Sequence, residues 1–555
     1  MIKCKKIFLL LSVFFAAEFM WSQSEEVEEI SLPDVSTVIQ GGAIKVGKSA
    51  VSDFSDVLPP ENEETSGELL PKLPEASEAG SLNSDSLLTV SPEKSIYVEG
   101  LAGGGYPGFI TGNFKIYRQT GSSPFKVEFG HESSNGYAGN TLTSGYSDRD
   151  TFISAEKVFK LKKMNLSLEG KYESLDNGLQ DKYEYISNVT KEILGGNVLW
   201  NLDIPNGFGL EVKGDANWYK RYATVTNSKV SPVDIQDYAE NVSVFDFSPE
   251  LSFSWGAHGF YSKLSAMYSS EADLKNSFEG SASVNRGQLG VFAGWKNDVV
   301  HVFASGSAVV GDHIGDNDVI VPFNAGIDFG FNSSISSRKI LMNIEGGIDS
   351  YHPLVRELEK QYWFTAVPCL CEETSDWFGN VGLNLPIKDR FTLNFDCEFR
   401  KTVYGNELIT ADYETYSNLE SLYGQYLYKV QDNVQFNTDV SFAIRAGCAD
   451  FSCGWKCFWI DVPACEDASV INFAVSLQNR TSRFGFEAAS ALAVNSEADH
   501  TPVVDFSAFC RLTSAVRLAV SANDVVKLIL QEERDYAGEY ISRSGTASVL
   551  VKFFF

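Results

Sequence analysis

Gly545-Thr-Ala-Ser-Val-Leu-Val-Lys-Phe-Phe-Phe555 closes the chain. Counting back from the end, Phe555, Phe553, Val551, Val549 and Ala547 share one face of an extended strand, and Lys552 and Ser548 take the other. A soluble sandwich rarely leaves such an edge exposed, because an apolar strand edge templates aggregation. An outer-membrane barrel, in contrast, needs a closing strand whose apolar face meets lipid and whose aromatic end sits at the interface. The stretch therefore predicts a transmembrane antiparallel β-barrel. Val549, Val551, Phe553 and Phe555 are then the side chains that a barrel-assembly machinery would read.

Upstream, from Ser95 onward, a period of two dominates. Val434, Phe436, Thr438, Val440, Phe442 and Ile444 alternate with Gln435, Asn437, Asp439, Ser441 and Arg445, and Phe391, Leu393, Phe395, Cys397 and Phe399 alternate with Thr392, Asn394, Asp396, Glu398 and Arg400. In a membrane barrel the apolar face meets lipid and the polar face lines the lumen. Asp396, Glu398, Arg400, Asp439 and Arg445 are thereby candidate lumen residues that meet a ligand or shape its passage.

Short turns are expected near Lys162-Lys163, Pro205-Asn206, Ala257-His258, Lys296-Asn297, Ser333 to Ser337, Lys388-Asp389, Asp432-Asn433, Arg480-Thr481 and Thr513-Ser514. Longer polar segments lie between them: Leu175 to Thr190, Ala223 to Glu240, Tyr351 to Ser375, Val403 to Tyr416, Gly447 to Glu466 and Gln531 to Ser544. Short on one side and long on the other is the asymmetry of periplasmic turns against extracellular loops. With hairpins starting at Ser95 and Phe125, the tally reaches about 22 strands, an even number as single-chain barrels require. Asn276 to Trp295 reads as one long strand or a short hairpin, and Cys453 to Ile460 as loop or strand. Trp200, Trp218, Tyr219, Trp255, Tyr261, Tyr268 and Trp295 sit near strand ends, where an interfacial girdle belongs.

Residues 1 to 22 have the layout of a cleaved export signal: Lys3, Lys5 and Lys6, the apolar run Ile7 to Ala17, then a polar exit. From 23 to 94, glutamates recur among Pro33, Pro59, Pro60, Pro71, Pro74 and Pro92, the composition of a flexible acidic periplasmic arm or mini-plug. Within it, Ile30 to Ile39 has the extended propensity of a strand that could pair with a periplasmic energy-coupling partner. The formal charge of -28 disfavours nucleic acid as a partner. Outer-membrane lipid is the expected surroundings of residues 95 to 555.

The last hairpin carries a more specific signal. Val516 to Asn523 leads into a polar loop with Tyr536, Gly538, Tyr540, Arg543 and Gly545, and then into the terminal aromatic strand. This resembles the last hairpin of TonB-dependent outer-membrane receptors. The resemblance implies a receptor-type barrel and energy-coupled uptake. That family also carries a folded N-terminal plug, for which residues 24 to 94 are too short and too acidic. The lumen must then be narrowed by the arm, by an infolded loop such as Tyr351 to Ser375, or by another protein.

Other motifs carry less. Gly103-Gly104-Gly105-Tyr106-Pro107-Gly108 has dinucleotide-binding spacing, but Pro107 and the alternation after it indicate a strand rather than a helix, hence a hairpin connection. Cys448, Cys453, Cys457 and Cys465 fall in the expected loop Gly447 to Glu466, where two disulfides would brace it after export. Asp312, Asp316 and Asp318 read as a solvated acidic turn rather than a calcium loop. No metal-ligand spacing, cofactor motif or nucleophile elbow stands out, and the expectation is a non-enzyme without cofactor. A plug-less porin-like channel and a surface adhesin with disulfide-braced loops are the alternatives to a receptor.

Overall fold

The structure is a computed structural model. It describes residues 96–554 apart from 120–122, 138, 142–143, 184, 226–241, 276–277, 279–281, 313–318, 333–337, 362, 372, 388–389, 405–407, 414–423, 432–433, 463–466, 479–482, 495–500, 514, 531 and 544. The expected signal (1 to 22), the arm (23 to 94) with Ile30 to Ile39, and Asp316, Asp318, Cys465 and Phe555 lie outside the described residues.

Twenty-two long antiparallel strands form one closed barrel, and the two-residue strand Val319–Ile320 adds to Val300–Gly311. Each long strand pairs with its neighbours in sequence. Closure comes from the first strand, Tyr97–Tyr106, pairing with the last, Thr546–Phe554, in a register running from Glu99 opposite Phe554 to Tyr106 opposite Ala547. That pairing removes the free edges which would otherwise be unsatisfied in hydrocarbon. No helix among the described residues is long and apolar enough to cross a membrane.

The glycines of the first strand make this seam possible. A Cβ at Gly105 would sit 1.8 Å from the carbonyl oxygen of Ala547, and one at Gly100 would sit 2.0 Å from the Phe553 ring. The Gly103 to Gly108 stretch thus runs from the first strand into the turn before Phe109–Arg118. Elsewhere Asn206-Gly207 and His258-Gly259 turn with paired positive φ, as two-residue hairpins between right-twisted strands require.

Alternation sorts the wall into two faces. Leu251, Phe253, Trp255, Leu264, Leu289, Val291, Val302, Phe399, Phe473, Val549 and Val551 are exposed on the outside. Such a continuous apolar belt is what a bilayer-facing barrel presents, and it would be an aggregation surface in water.

The region 404–466 corrects the expected topology. The expected turn Asp432-Asn433 lies outside the described residues, and the strand before it, Tyr426–Gln431, is not a wall strand but part of a separate three-stranded sheet with Leu408–Ala411 and Thr365–Ala366. The segment Gly447 to Glu466 is not one loop, since Ala449–Ile460 is a wall strand pairing with Val434–Ala446 and Ser469–Gln478. The turn is Gly447-Cys448, with Gly447 at φ 68°. One strand lost and one gained leave the count at 22. Within 276–295 the described strand is Ser283–Lys296, and 276–277 and 279–281 lie outside the described residues.

Three of the four cysteines expected in one loop are placed elsewhere, and Cys465 lies outside the described residues. Cys448 lies in the turn at the opposite end of the barrel from the loops, and Cys453 and Cys457 lie within Ala449–Ile460. Four residues of extended chain separate the latter two by about 13 Å, well beyond the roughly 7 Å that a disulfide bridges.

Candidate functional site: the capped extracellular mouth

A strand crosses a bilayer in about 9–11 residues. The wall strands Ile186–Ile204, Phe208–Val225 and Val242–Ala257 contain 19, 18 and 16 residues, so their loop-side ends rise beyond the membrane. Their inward positions there carry Lys191, Ile193, Asn217, Tyr219, Arg221, Val242, Val244 and Asp246, while Leu194, Trp218, Phe245 and Phe247 point outward.

Against this inner wall packs the segment after Tyr351. Val355, Leu358, Val367, Leu370 and Cys371 form one buried cluster with Ile193, Tyr219, Val242, Val244, Val284 and Tyr428. The loop is therefore folded into the barrel rather than projecting from it. Its helix, Val355–Gln361, is started by the wall: the Glu271 carboxylate accepts from the Val355 backbone N–H at 2.9 Å, and His352 Nε2 lies 3.2 Å from its other oxygen. A carboxylate there satisfies an orphan helix-terminal donor and matches the helix dipole.

Charge pairs hold the loop in place. Arg356 donates to Asp246 at 2.8 Å, Lys360 to Glu173 at 2.7 Å, and Arg286 meets Glu373 at 3.0 Å. Glu359 is 0 % exposed and is the centre of the latch. Its carboxylate accepts from Arg221, from the Tyr219 hydroxyl and, at 2.9 Å, from the Val367 backbone N–H; Lys191 donates to its carbonyl oxygen. A carboxylate so deeply buried needs this number of donors to offset its lost hydration. Burial also pushes the Cys371 thiol in the same loop well above its ordinary value.

Two further loops lock onto the first. Tyr428 donates to the Leu358 carbonyl at 2.6 Å, and the Tyr426 N–H donates to the Phe364 carbonyl at 2.8 Å. The Phe364 ring stacks on Tyr540 with centroids 3.8 Å apart and planes 3° from parallel. Gln180 then bridges the Tyr137 hydroxyl at 2.9 Å and the Ile541 carbonyl at 2.8 Å. Arg534 clamps its own loop by donating to both oxygens of Asp524 at 2.8 and 3.3 Å.

The lumen candidates lie on the inner face but do not converge. Asp396 and Asp439 stand directly opposite each other. Glu398 accepts from Arg400 at 2.7 Å and from Asn437 at 3.3 Å, and Arg400 reaches toward Asp376 at 3.9 Å on the loop side. Arg445 pairs with Asp450 at 3.2 Å beside the Gly447-Cys448 turn, at the other end of the barrel. The sequence reading missed Lys191, Tyr219, Arg221, Asp246, Glu271 and Glu359. The available signal was polar and aromatic side chains at inward positions of strands too long for a bilayer.

No family model and no curated protein matches the chain. Solved structures do. The FrpB iron transporter of Neisseria meningitidis superposes with a TM-score of 0.60 at 9% identity, over 83% of this chain and 83% of that one. The copper transporter OprC gives 0.60 at 10%, over 83% and 81%. The ferric enterobactin receptor PfeA of Pseudomonas aeruginosa gives 0.58 at 8%, over 83% and 80%. The chain has the outer-membrane barrel fold of the TonB-dependent receptors, and among the described residues that barrel stands without a plug domain.

Proposed function

We propose that this protein is an outer-membrane uptake barrel that binds its ligand at the capped mouth and releases it into the lumen. The observation that supports this reading is the infolded loop latched through Glu359, which takes up space at the mouth that a channel for free diffusion would leave open. The lumen residues Asp396, Glu398, Arg400, Asp439 and Arg445 shape passage below the cap. Energy coupling runs through Ile30 to Ile39 pairing with a periplasmic partner as an added strand. The structural neighbours are described as carrying iron, copper or ferric enterobactin, so metal ions and metal chelates are the ligand class to try first.

Planar-bilayer recording of the purified full chain tests this. The intact protein is expected to stay closed, and Glu359→Ala to open it to small ions. A large, steady conductance from the unmodified protein would make it a plain porin, and no conductance from either, together with no accumulation of any chelate in cells, would favour an adhesin. Deleting Ile30 to Ile39 is expected to abolish cellular accumulation while leaving ligand binding to purified protein intact.

A further inference from the structure

On the outer face of the wall, a groove is cut into the lipid belt. The ladder sets Ala293 opposite Ala304, Ala304 opposite Ala325, Ala325 opposite Gly346 and Gly346 opposite Gly379, across five consecutive wall strands. Strand alternation puts these five on the same face as Val291, Val302, Ile344 and Trp377, which are exposed. The rows to either side are large. The turn-side row holds Trp295, Val302, Ile327, Ile344 and Val381, and the loop-side row holds Val291, Phe323, Ile348 and Trp377, with Gly306 between the first two. A cavity of about 780 Å³ opens along the first four of these strands, floored by Ala304, Ala325 and Gly346 and bounded at its turn end by Phe260 and Trp295.

The dimensions of the groove select its occupant. Ala293 lies near the turn-side end of Ser283–Lys296, and Gly379 lies toward the loop side of Thr374–Ile387. At about 4.8 Å per strand the floor runs roughly 19 Å, and on a wall tilted by about 35–45° it climbs about 11–13 Å, most of one leaflet of a hydrocarbon core about 30 Å thick. The two ridges stand about 13 Å apart at the backbone, and their side chains narrow the mouth below the roughly 10–12 Å breadth of a helix. The convex wall of a second barrel does not enter such a groove, whereas a single hydrocarbon chain does. Seated there, it touches protein on three sides instead of one, and each added close atom pair contributes dispersion attraction. The loop-side end also carries a charge. Lys401, exposed on the same outer face, stands opposite Trp377, where an ammonium meets a phosphate at the level at which headgroups begin.

We propose that this groove is a lipid site, holding one acyl chain of a phosphate-bearing lipid of the outer leaflet with the phosphate on Lys401. The inference needs the barrel fold but not the uptake reading, because the site lies on the outside of the wall. The full chain is purified in detergent, mixed with phosphatidylglycerol carrying a diazirine in one palmitoyl chain and irradiated, and the labelled peptides are mapped by mass spectrometry. Label is expected to concentrate on Ser283–Lys296, Val300–Gly311, Phe323–Asn332 and Lys339–Tyr351. It should fall about tenfold on those strands in A304L/A325L, which raises the floor. Gly379→Leu fills the upper end, where an added Cβ meets nothing within 4 Å, so the strand keeps its place while labelling drops. K401E leaves the groove intact and should lower labelling by repelling the phosphate. Unlabelled dipalmitoyl phosphatidylglycerol should compete far better than the dihexanoyl form, which has the same headgroup. Label spread evenly around the barrel, label unchanged in folded A304L/A325L or Gly379→Leu, indifference to K401E, equal competition by the short-chain lipid, or a groove covered by a second copy of the chain would overturn the proposal.

Discussion

At the closing seam, Tyr97–Tyr106 and Thr546–Phe554 hold each other by backbone hydrogen bonds, with glycines letting the strands approach; in the sector Ile186–Val225, buried side-chain charges hold a loop against the wall. The seam relies on the absence of side chains, and the latch on their presence. The first arrangement is all-or-none, because a barrel with one unpaired strand exposes a row of backbone groups to lipid. The second is graded, since each donor around Glu359 can be removed singly. Substitutions in the two regions should therefore fail differently.

The largest effect is expected at Gly105. A valine there places its Cβ against the Ala547 carbonyl, only 1.8 Å from the ideal position, so the last strand cannot keep its register. Gly105→Val should lose nearly all of the folded, heat-modifiable barrel band on a gel. Gly112→Val, whose Cβ would meet nothing nearer than 3.7 Å, should keep it.

Next comes the latch. Glu359→Ala strips Arg221 of its buried carboxylate and leaves Lys191 with the backbone carbonyl but no counter-charge, and breaking a buried ion pair by removing one partner costs about 3–5 kcal/mol. The cost falls on the loop rather than on the barrel, so the band should survive while amide exchange across Val355–Gln361 accelerates by two or more orders of magnitude. Replacing both partners, as Glu359→Leu with Arg221→Met, should be milder than Glu359→Ala, because it leaves one buried cation, Lys191, without the carboxylate instead of two. Equal exchange in both variants would show that the apolar cluster, not the ion pair, holds the loop.

These regions were not equally legible in the sequence. The wall was readable because lipid and lumen impose period two on every strand, as in Val434–Ala446, and the terminal Val549, Val551 and Phe553 showed which face meets lipid. The turn at Gly447-Cys448 was not, because Asp432-Asn433 is the stronger local turn signal and the clustered cysteines suggested a loop; which strands stay in the wall is decided by nonlocal pairing. Tyr351 to Ser375 could be named as an infolding loop from its length and position. Its anchor could not, because Lys191, Tyr219, Arg221 and Glu359 are as far as 168 residues apart and meet only once the barrel closes.

A smaller effect separates the aromatic lock from the ionic one. Tyr540 is 0% exposed and stacks on Phe364, so Tyr540→Ala removes a buried ring at a cost of about 3 kcal/mol. The change should loosen Arg534–Ala537 and Tyr540–Ser542 in hydrogen exchange. It should leave Val355–Gln361 protected, since Glu359 and its donors are untouched.

The smallest effect reads the closed cap without disturbing it. Cys369 and Cys371 are two residues apart in the infolded loop, the first exposed and the second 1% exposed. Alkylation needs the thiolate, and burial raises the Cys371 thiol well above its usual range, with Glu271 and Glu359 nearby adding to the shift. Iodoacetamide at pH 8 should therefore label Cys369 and spare Cys371. Raising the pH toward 9 should speed Cys369 while Cys371 lags, because its protonated form persists. In Glu359→Ala the two rates should converge, and if Cys371 were to react as fast as Cys369 in the unmodified chain, the loop would be opening on the timescale of labelling and the latch would not be holding it shut.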